Sequence, residues 1–229
     1  MLKLTKSATE VFGSTEDLNS LRVQFDQKHW IRLLKILDSN LLELVRSQID
    51  QASFYQGIHE GIAVELCMTQ SKTLDLLRFI TNDPTLFQII QQITGCKRIG
   101  CFTGRVYRMM SGSGHYDRWH NDLVEHRKIG MSINLSVETY SGGLLQIRDR
   151  HSQRIVQEVA NVGFGDAIVF RLADSLQHRI TDVEGSAPKT AFAGWFQSQP
   201  DIVTLLKRNP APSRKEVLSS ATADLEISD

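Results

Sequence analysis

The chain has 229 residues, 41% of them hydrophobic, which is enough to bury one substantial core. Twenty-six basic residues balance twenty-six acidic ones, so no long-range field draws the chain toward phosphate backbones or anionic lipid, and neither nucleic acid nor membrane is an expected partner. Cys67, Cys96 and Cys101 are odd in number and irregular in spacing, unlike a disulfide framework. No run approaches the roughly 18 apolar residues of a membrane span, and no apolar segment follows the charged start. A cytoplasmic protein is expected.

Residues 1–24 are polar, carry no clear period and read as an N-terminal arm. The segment 25–37 turns apolar, with Trp30, Ile31, Leu33, Leu34, Ile36 and Leu37, and reads as a strand. Asp38-Ser39-Asn40 then supplies N-cap chemistry for a helix that places Leu41, Val45 and Ile49 on one stripe. A second helix is expected over 72–80. Asp83-Pro84 opens a third, with Leu86, Ile90 and Ile93 on its buried face and Gly95 as its stop.

Beyond Gly95 the apolar runs shorten. The stretch 129–137 alternates apolar with small or polar residues, a strand pattern. Further strands are expected at 105–109, 144–148, 155–159, 167–171 and 190–196. Turns separate them at Ser141-Gly142-Gly143, Gly163-Phe164-Gly165-Asp166 and Glu184-Gly185-Ser186. Many short strands at this spacing indicate a sandwich or open barrel. The expected plan is α+β: a helical layer to about residue 98, packed on one sheet of a β-rich core at about 99–200, together forming a single domain over 25–208. Residues 209–229, rich in Pro, Ser, Ala and acidic groups, read as a mobile tail.

The strongest chemical signal is His120-Asn121-Asp122. On an extended chain, residues i and i+2 share a face, so one imidazole and one carboxylate can meet a single ion. A third ligand must come from elsewhere, and His178 follows fifty-six positions after Asp122, several strands downstream. Two His and one carboxylate on one side of a metal leave open positions, the arrangement expected of non-haem Fe(II) oxygenases. His115, His126 and His151 read as surface residues.

Lys189 opens the strand that runs to Phe196, and Lys189, Ala191, Ala193 and Trp195 share a face. A cation followed by two small residues leaves a slot for a dicarboxylate; the bland reading is a solvated lysine. Arg105, Tyr107 and Met109 share a face of another strand, where Tyr107 either offers its hydroxyl to the same carboxylate or is simply packed.

In order along the chain stand Tyr107, His120-Asn121-Asp122, Ser141-Gly142-Gly143-Leu144-Leu145, Phe164 to Phe170, His178, Lys189 and Trp195-Phe196. In this order and spacing, over about 105–198, the sequence resembles the 2-oxoglutarate/Fe(II) dioxygenase superfamily, close to its prolyl 4-hydroxylase-like branch. One departure is the long segment between Tyr107 and His120. The resemblance implies a double-stranded β-helix (jelly roll) with iron between its sheets. His120, Asp122 and His178 fall on the ligand positions, and Lys189 on the position of the cation that holds the distal carboxylate of 2-oxoglutarate. It further implies O2-dependent hydroxylation of a C–H bond in an amino acid, peptide or small metabolite, with release of succinate and CO2. The carboxylate of Asp122 favours hydroxylation over halogenation.

Two other readings stay open at this point. One is a cupin-type metal enzyme that does not use 2-oxoglutarate and has no need of Lys189. The other is a non-catalytic jelly-roll binding module, for which an intact triad is superfluous. A nucleic-acid demethylase is disfavoured by the neutral charge and by the lack of a second basic residue shortly after Lys189. For the substrate, Arg148 and Arg150 offer bidentate donors to a carboxylate or form a solvated loop pair.

Overall fold

The computed structural model describes residues 2–200, apart from Glu125 and Val162. The tail expected at 209–229 lies outside the described residues. The amino-terminal segment is not a loose arm. Leu2 and Leu4 are buried on either side of exposed Lys3, forming β1 (Leu2–Leu4), which pairs with β2 (Thr9–Val11). Ser14 caps α1 (Thr15–Lys28): its hydroxyl accepts from Asp17 N, and the Asp17 carboxylate accepts from Ser14 N. The helix hides from a periodicity reading because Phe25 alone is fully buried along it. Phe25 therefore belongs to α1, and the expected long strand shrinks to β3 (Trp30–Leu33), after His29 ends the helix in the left-handed region.

The next helices follow their caps. Asp38 accepts from Asn40 N and Leu41 N at the start of α2 (Ser39–Asp50), which buries Leu41, Val45 and Ile49. A hairpin that the periodicity did not reveal then intervenes: β4 (Phe54–His59) and β5 (Ala63–Met68). α3 (Lys72–Ile80) and α4 (Pro84–Thr94) stand where expected, with Asp83 and Pro84 opening α4 and Gly95 closing it.

The remaining strands are β6 (Cys101–Met109), β7 (Tyr116–Asp117), β8 (Arg127–Asn134), β9 (Ser141–Gly142), β10 (Leu145–Asp149), β11 (Ile155–Val159), β12 (Ala167–Arg171), β13 (Leu176–Ile180), β14 (Val183–Glu184) and β15 (Lys189–Gln197). The major sheet runs β3-β12-β8-β15-β6-β5-β4, with β7 added to β5. A smaller sheet runs β11-β10-β13, and β9 pairs with β14. Among the described strands all the pairings are antiparallel, apart from an isolated parallel bridge between Leu4 and Leu37, and the sheets curl into the two walls of a jelly roll.

Period-two alternation divides the major sheet. Ile129, Met131 and Ile133 of β8 and Phe192 and Phe196 of β15 join the helices in one core. On the opposite face, Ile168 and Phe170 of β12 meet Leu145, Ile147 and Leu176 of the smaller sheet. Gly130 shows why β8 alternates with small residues. A Cβ there would stand 2.2 Å from the Phe170 ring. That ring in turn packs on the His178 imidazole, 5.0 Å between centroids. No helix among the described residues is long and apolar enough to cross a membrane.

Gly130→Ala is therefore expected to displace Phe170 and lower stability by about 1–3 kcal/mol, the usual cost of overpacking. Urea unfolding checks it; an unchanged midpoint would show that the ring swings away freely.

Candidate active site

His120 and His178 are neighbours through their main chains. His120 N donates to His178 O at 3.1 Å, and His178 N donates to His120 O at 2.9 Å. The imidazoles consequently face the same side, 4.3 Å between centroids. Asp122, two residues on, joins them: its Oδ2 lies 3.6 Å from His120 Nε2 and 3.3 Å from His178 Nε2. One ligand atom from each of the three residues fits within a 4.8 Å cluster. Asn121, between them, turns the other way and donates to Ala173 O and Leu176 O, tying the segment to the start of β13.

Surrounding groups orient this triad. His120 Nδ1 lies 2.7 Å from Arg118 O, which makes Nδ1 the protonated nitrogen and leaves Nε2 free to ligate. Asp117 Oδ1, buried and otherwise without a hydrogen bond, stands 3.3 Å from the same Nδ1. Trp195 Nε1 donates to Asp122 Oδ2 at 2.6 Å, and an Arg127 N–H donates to Oδ1 at 3.3 Å. Arg127 also stacks on the Trp195 ring at 3.6 Å. Burial works against a charge on His120, but Asp117 and Asp122 override it and push the imidazole up to about 10, so a metal that takes Nε2 must displace the proton there. Burial likewise opposes the Asp122 charge, and the two imidazoles overcome it and hold the carboxyl far below its usual range. Two imidazoles and a carboxylate on one side, with cavity space opposite, fit a divalent iron.

The triad opens into a cavity of about 360 Å³, also lined by Tyr107 and Lys189. Lys189 is 2% exposed, and its ammonium donates to Gly143 O. The Ser141-Gly142-Gly143 turn makes this carbonyl available. Gly142 has φ +68°, and a Cβ on it would collide with Asp182 O at 2.0 Å. Among the described residues no carboxylate lies within ion-pair distance of Lys189. Tyr107 sits diagonally from Lys189 on the adjoining strand, where Ala191 faces Tyr107 and Lys189 faces Met109. Burial keeps the Tyr107 hydroxyl protonated, well above the ordinary tyrosine value.

The cavity thus gathers the five residues singled out from sequence for iron and 2-oxoglutarate: Tyr107, His120, Asp122, His178 and Lys189. It also contains residues that sequence reading did not assign: His59 and Glu65 of the unexpected hairpin, with Arg105, Asp117, Arg127 and Trp195. Arg148 is not among the lining residues. It lies on the outer face of the smaller sheet, bonded to Gln177 and stacked on Trp119, and Arg179 stacks there too. Arg150, which follows β10 in a turn, does not line the cavity either.

Residues 104–197 match the sequence model of the 2OG-Fe(II) oxygenase superfamily. The fold superposes on a prolyl-4-hydroxylase from Pseudomonas putida, with TM-score 0.59 and 15% identity, over 80% of this chain and 99% of that one. It also superposes on an oxidoreductase of the 2OG-Fe(II) oxygenase family from Burkholderia pseudomallei, with TM-score 0.63 and 12% identity, over 87% and 97%. A third match is a Trichoplax adhaerens prolyl hydroxylase solved with a hypoxia inducible factor peptide fragment, with TM-score 0.58 and 14% identity, over 81% and 94%. No curated protein matches significantly in sequence. Residues 104–197 thus carry the sequence pattern of the 2OG-Fe(II) oxygenase superfamily, and the fold is prolyl 4-hydroxylase-like. The chain is a dioxygenase whose cofactor is Fe(II) and whose cosubstrate is 2-oxoglutarate.

Burial pushes the Lys189 ammonium from its ordinary 10.5 down to about 8, with Asp117 working weakly the other way. A lysine whose folded value lies below its unfolded one costs stability fully below the folded value, and the cost fades as the unfolded chain also loses its proton. Wild type is therefore expected to gain on a Lys189→Met variant as pH rises from 7 to 10 without 2-oxoglutarate. Unfolding free energies at each pH measure this; a pH-independent difference would mean that the ammonium is effectively solvated.

Proposed function

We propose that His120, Asp122 and His178 hold the iron, and that the enzyme hydroxylates an unactivated C–H bond of an amino acid, peptide or other small metabolite, releasing succinate and CO2. The observation that carries this reading is the placement of Asp122 Oδ2 against both imidazole Nε2 atoms, at one side of a cavity that also holds a buried, carboxylate-free lysine. When bound, Fe(II) with 2-oxoglutarate and O2 supplies the oxidising chemistry.

The protein's own groups would do the rest. Lys189 pairs with the distal carboxylate of 2-oxoglutarate, and Tyr107, held protonated, donates its hydroxyl to the same group. Trp195 and Arg127 fix the Asp122 carboxylate, and Arg118 O fixes the His120 tautomer. The buried lysine is also what speaks against a metal enzyme that uses no dicarboxylate. We further propose a cytoplasmic compartment, with which the free Cys67 and Cys96 thiols are in keeping.

His120→Ala, Asp122→Ala and His178→Ala should each lose iron, measured by metal analysis after desalting, and abolish succinate formation with the fold retained by circular dichroism. Near-normal iron content in any one of them would remove that residue from the ligand set.

Lys189→Ala should raise the apparent Michaelis constant for 2-oxoglutarate by roughly 10- to 100-fold, the effect of losing a charge-assisted bond worth about 1.5–3 kcal/mol. Lys189→Arg should be milder, and iron content should not change in either. A 2-oxoglutarate titration with iron saturating measures it, and an unaltered constant in Lys189→Ala would leave Lys189 without this role.

A further inference from the structure

The major sheet carries a second pair of ionised groups into the cavity. Glu65, on β5, is 4% exposed, and its Oε1 accepts a hydrogen bond from Arg105 Nε on β6 at 2.5 Å. His59 Nε2, at the end of β4, faces the same oxygen at 3.5 Å, and Cys67 Sγ donates to it at 3.5 Å. Arg105 also lies over the Trp195 ring, 5.6 Å from its centroid, on the side of the sheet where Trp195 reaches Asp122. Glu65, Arg105 and the triad line one continuous cavity.

Only one edge of each charged group is engaged. The Cys67 thiol also lies beside the Arg105 guanidinium, but among the described residues no carboxylate or carbonyl takes up its two Nη groups, and no hydrogen bond takes up the Oε2 of Glu65. The pair is not needed to dock the hairpin, because β5 already pairs with β6 through Leu66↔Arg108 and Cys67↔Tyr107. Buried ion pairs bring little net stability. A pair kept inside a reaction cavity with free donors and a free acceptor is built to meet a ligand.

Arg105 cannot share the anion held by Lys189. The two residues face Ala193 and Met109 respectively, so four residues separate them along the sheet, roughly 13 Å at about 3.3 Å per residue. Arg105 and Glu65 also neutralise each other. A lone anion brought to Arg105 would be opposed by Glu65, and a lone cation brought to Glu65 would be opposed by Arg105. A ligand with both charges and no net charge satisfies both.

We propose that Arg105 and Glu65 recognise the primary substrate, and that this substrate is a free α-amino acid, its carboxylate taken by the Nη edge of Arg105 and its ammonium by Glu65. The proposal rests on the oxygenase reading above. The guanidinium fork matches a carboxylate with two parallel N–H donors, and Glu65 Oε2 is an acceptor for the ammonium. Ile62 and Ala63, where the hairpin turns into β5, add apolar wall for a side chain. An internal residue of a peptide has neither charge and would leave the Nη edge of Arg105 and the Oε2 of Glu65 desolvated without a further partner.

The test uses the enzyme loaded with Fe(II) and 2-oxoglutarate. Succinate is measured with each proteinogenic L-amino acid and with the N-acetyl and carboxamide derivative of each. Anaerobic calorimetry measures binding of the same compounds. Free amino acids should bind and stimulate succinate formation, and capping either end should abolish both. In a Glu65→Gln/Arg105→Gln double variant, which keeps a hydrogen bond without stranding a charge, the Michaelis constant for the amino acid should rise about 10- to 100-fold. The constant for 2-oxoglutarate should stay within about twofold, since Lys189 is untouched. Capped compounds or peptides that work as well as free amino acids would overturn the proposal, as would no response to any free amino acid. If the visible absorption of the anaerobic Fe(II)–2-oxoglutarate complex still forms, the oxygenase reading survives that failure; if it does not form, both fall.

Discussion

Two main-chain hydrogen bonds, exchanged between His120 and His178, govern the geometry of the centre. They join an irregular segment to the edge of the smaller sheet and bring together residues far apart in the chain. Because antiparallel partners point to the same face, the exchange also aims both imidazoles into the space between the sheets. Asp122 follows by the same alternation, two residues on. The smaller sheet positions His178 through the Ile147↔His178 pairing, and Phe170 of the major sheet closes over the ring from behind. Asn121 holds the segment down by bonding to main-chain carbonyls near the start of β13.

Around this exchange the cavity is built as a series of opposed charges. Asp122 stands against two imidazoles and Arg127, Glu65 against Arg105, and Lys189 against a carbonyl with no carboxylate in reach. The two inner pairs are already matched, whereas Lys189 is a buried cation awaiting an anion. Isolated buried charge is costly. It persists in a wall of otherwise packed residues, Tyr107, Tyr140 and Ala191, where the proposed function seats the dianionic cosubstrate. The helices take no part in the cavity lining. They cover the other face of the major sheet, so that the sheet can stay curled while its inner face remains open.

Much of the catalytic half was legible because its signals are local. The alternation of β8, the full apolar run of β12 and the turn glycines at 142 and 143 each announce themselves within a few residues. The helices α2 and α4 were legible from caps, Asp38, and Asp83 with Pro84. What escaped had no periodic signature. α1 buries little besides Phe25, and β4 exposes most of its residues on both faces, so neither shows a stripe. Missing the β4–β5 hairpin had a second consequence. The long segment after Tyr107 stood out as a departure, and in the fold its β7 portion pairs with β5, Ala63↔Asp117 and Val64↔Tyr116. That pairing carries Asp117 to the back of His120. Arg148 and Arg105 were both visible as strand arginines, yet their fates are opposite, one stacked on Trp119 outside and the other paired with Glu65 inside.

By itself the sequence determined the chemistry on offer: an imidazole and a carboxylate two residues apart, a later histidine, a lysine heading a strand with small neighbours, and the strand pattern needed to bring them together. These depend on residue type and on period, which are properties of a short stretch of chain. Only the tertiary structure decided which further charges share the cavity. The Glu65–Arg105 pair joins residues from two strands, and the Trp195 and Arg127 hold on Asp122 depends on the register of β15 against β8 and on the turn after Asp122. Side-chain contacts between elements follow from register and sheet curvature, and a one-residue shift in register would send each of these groups to the opposite face.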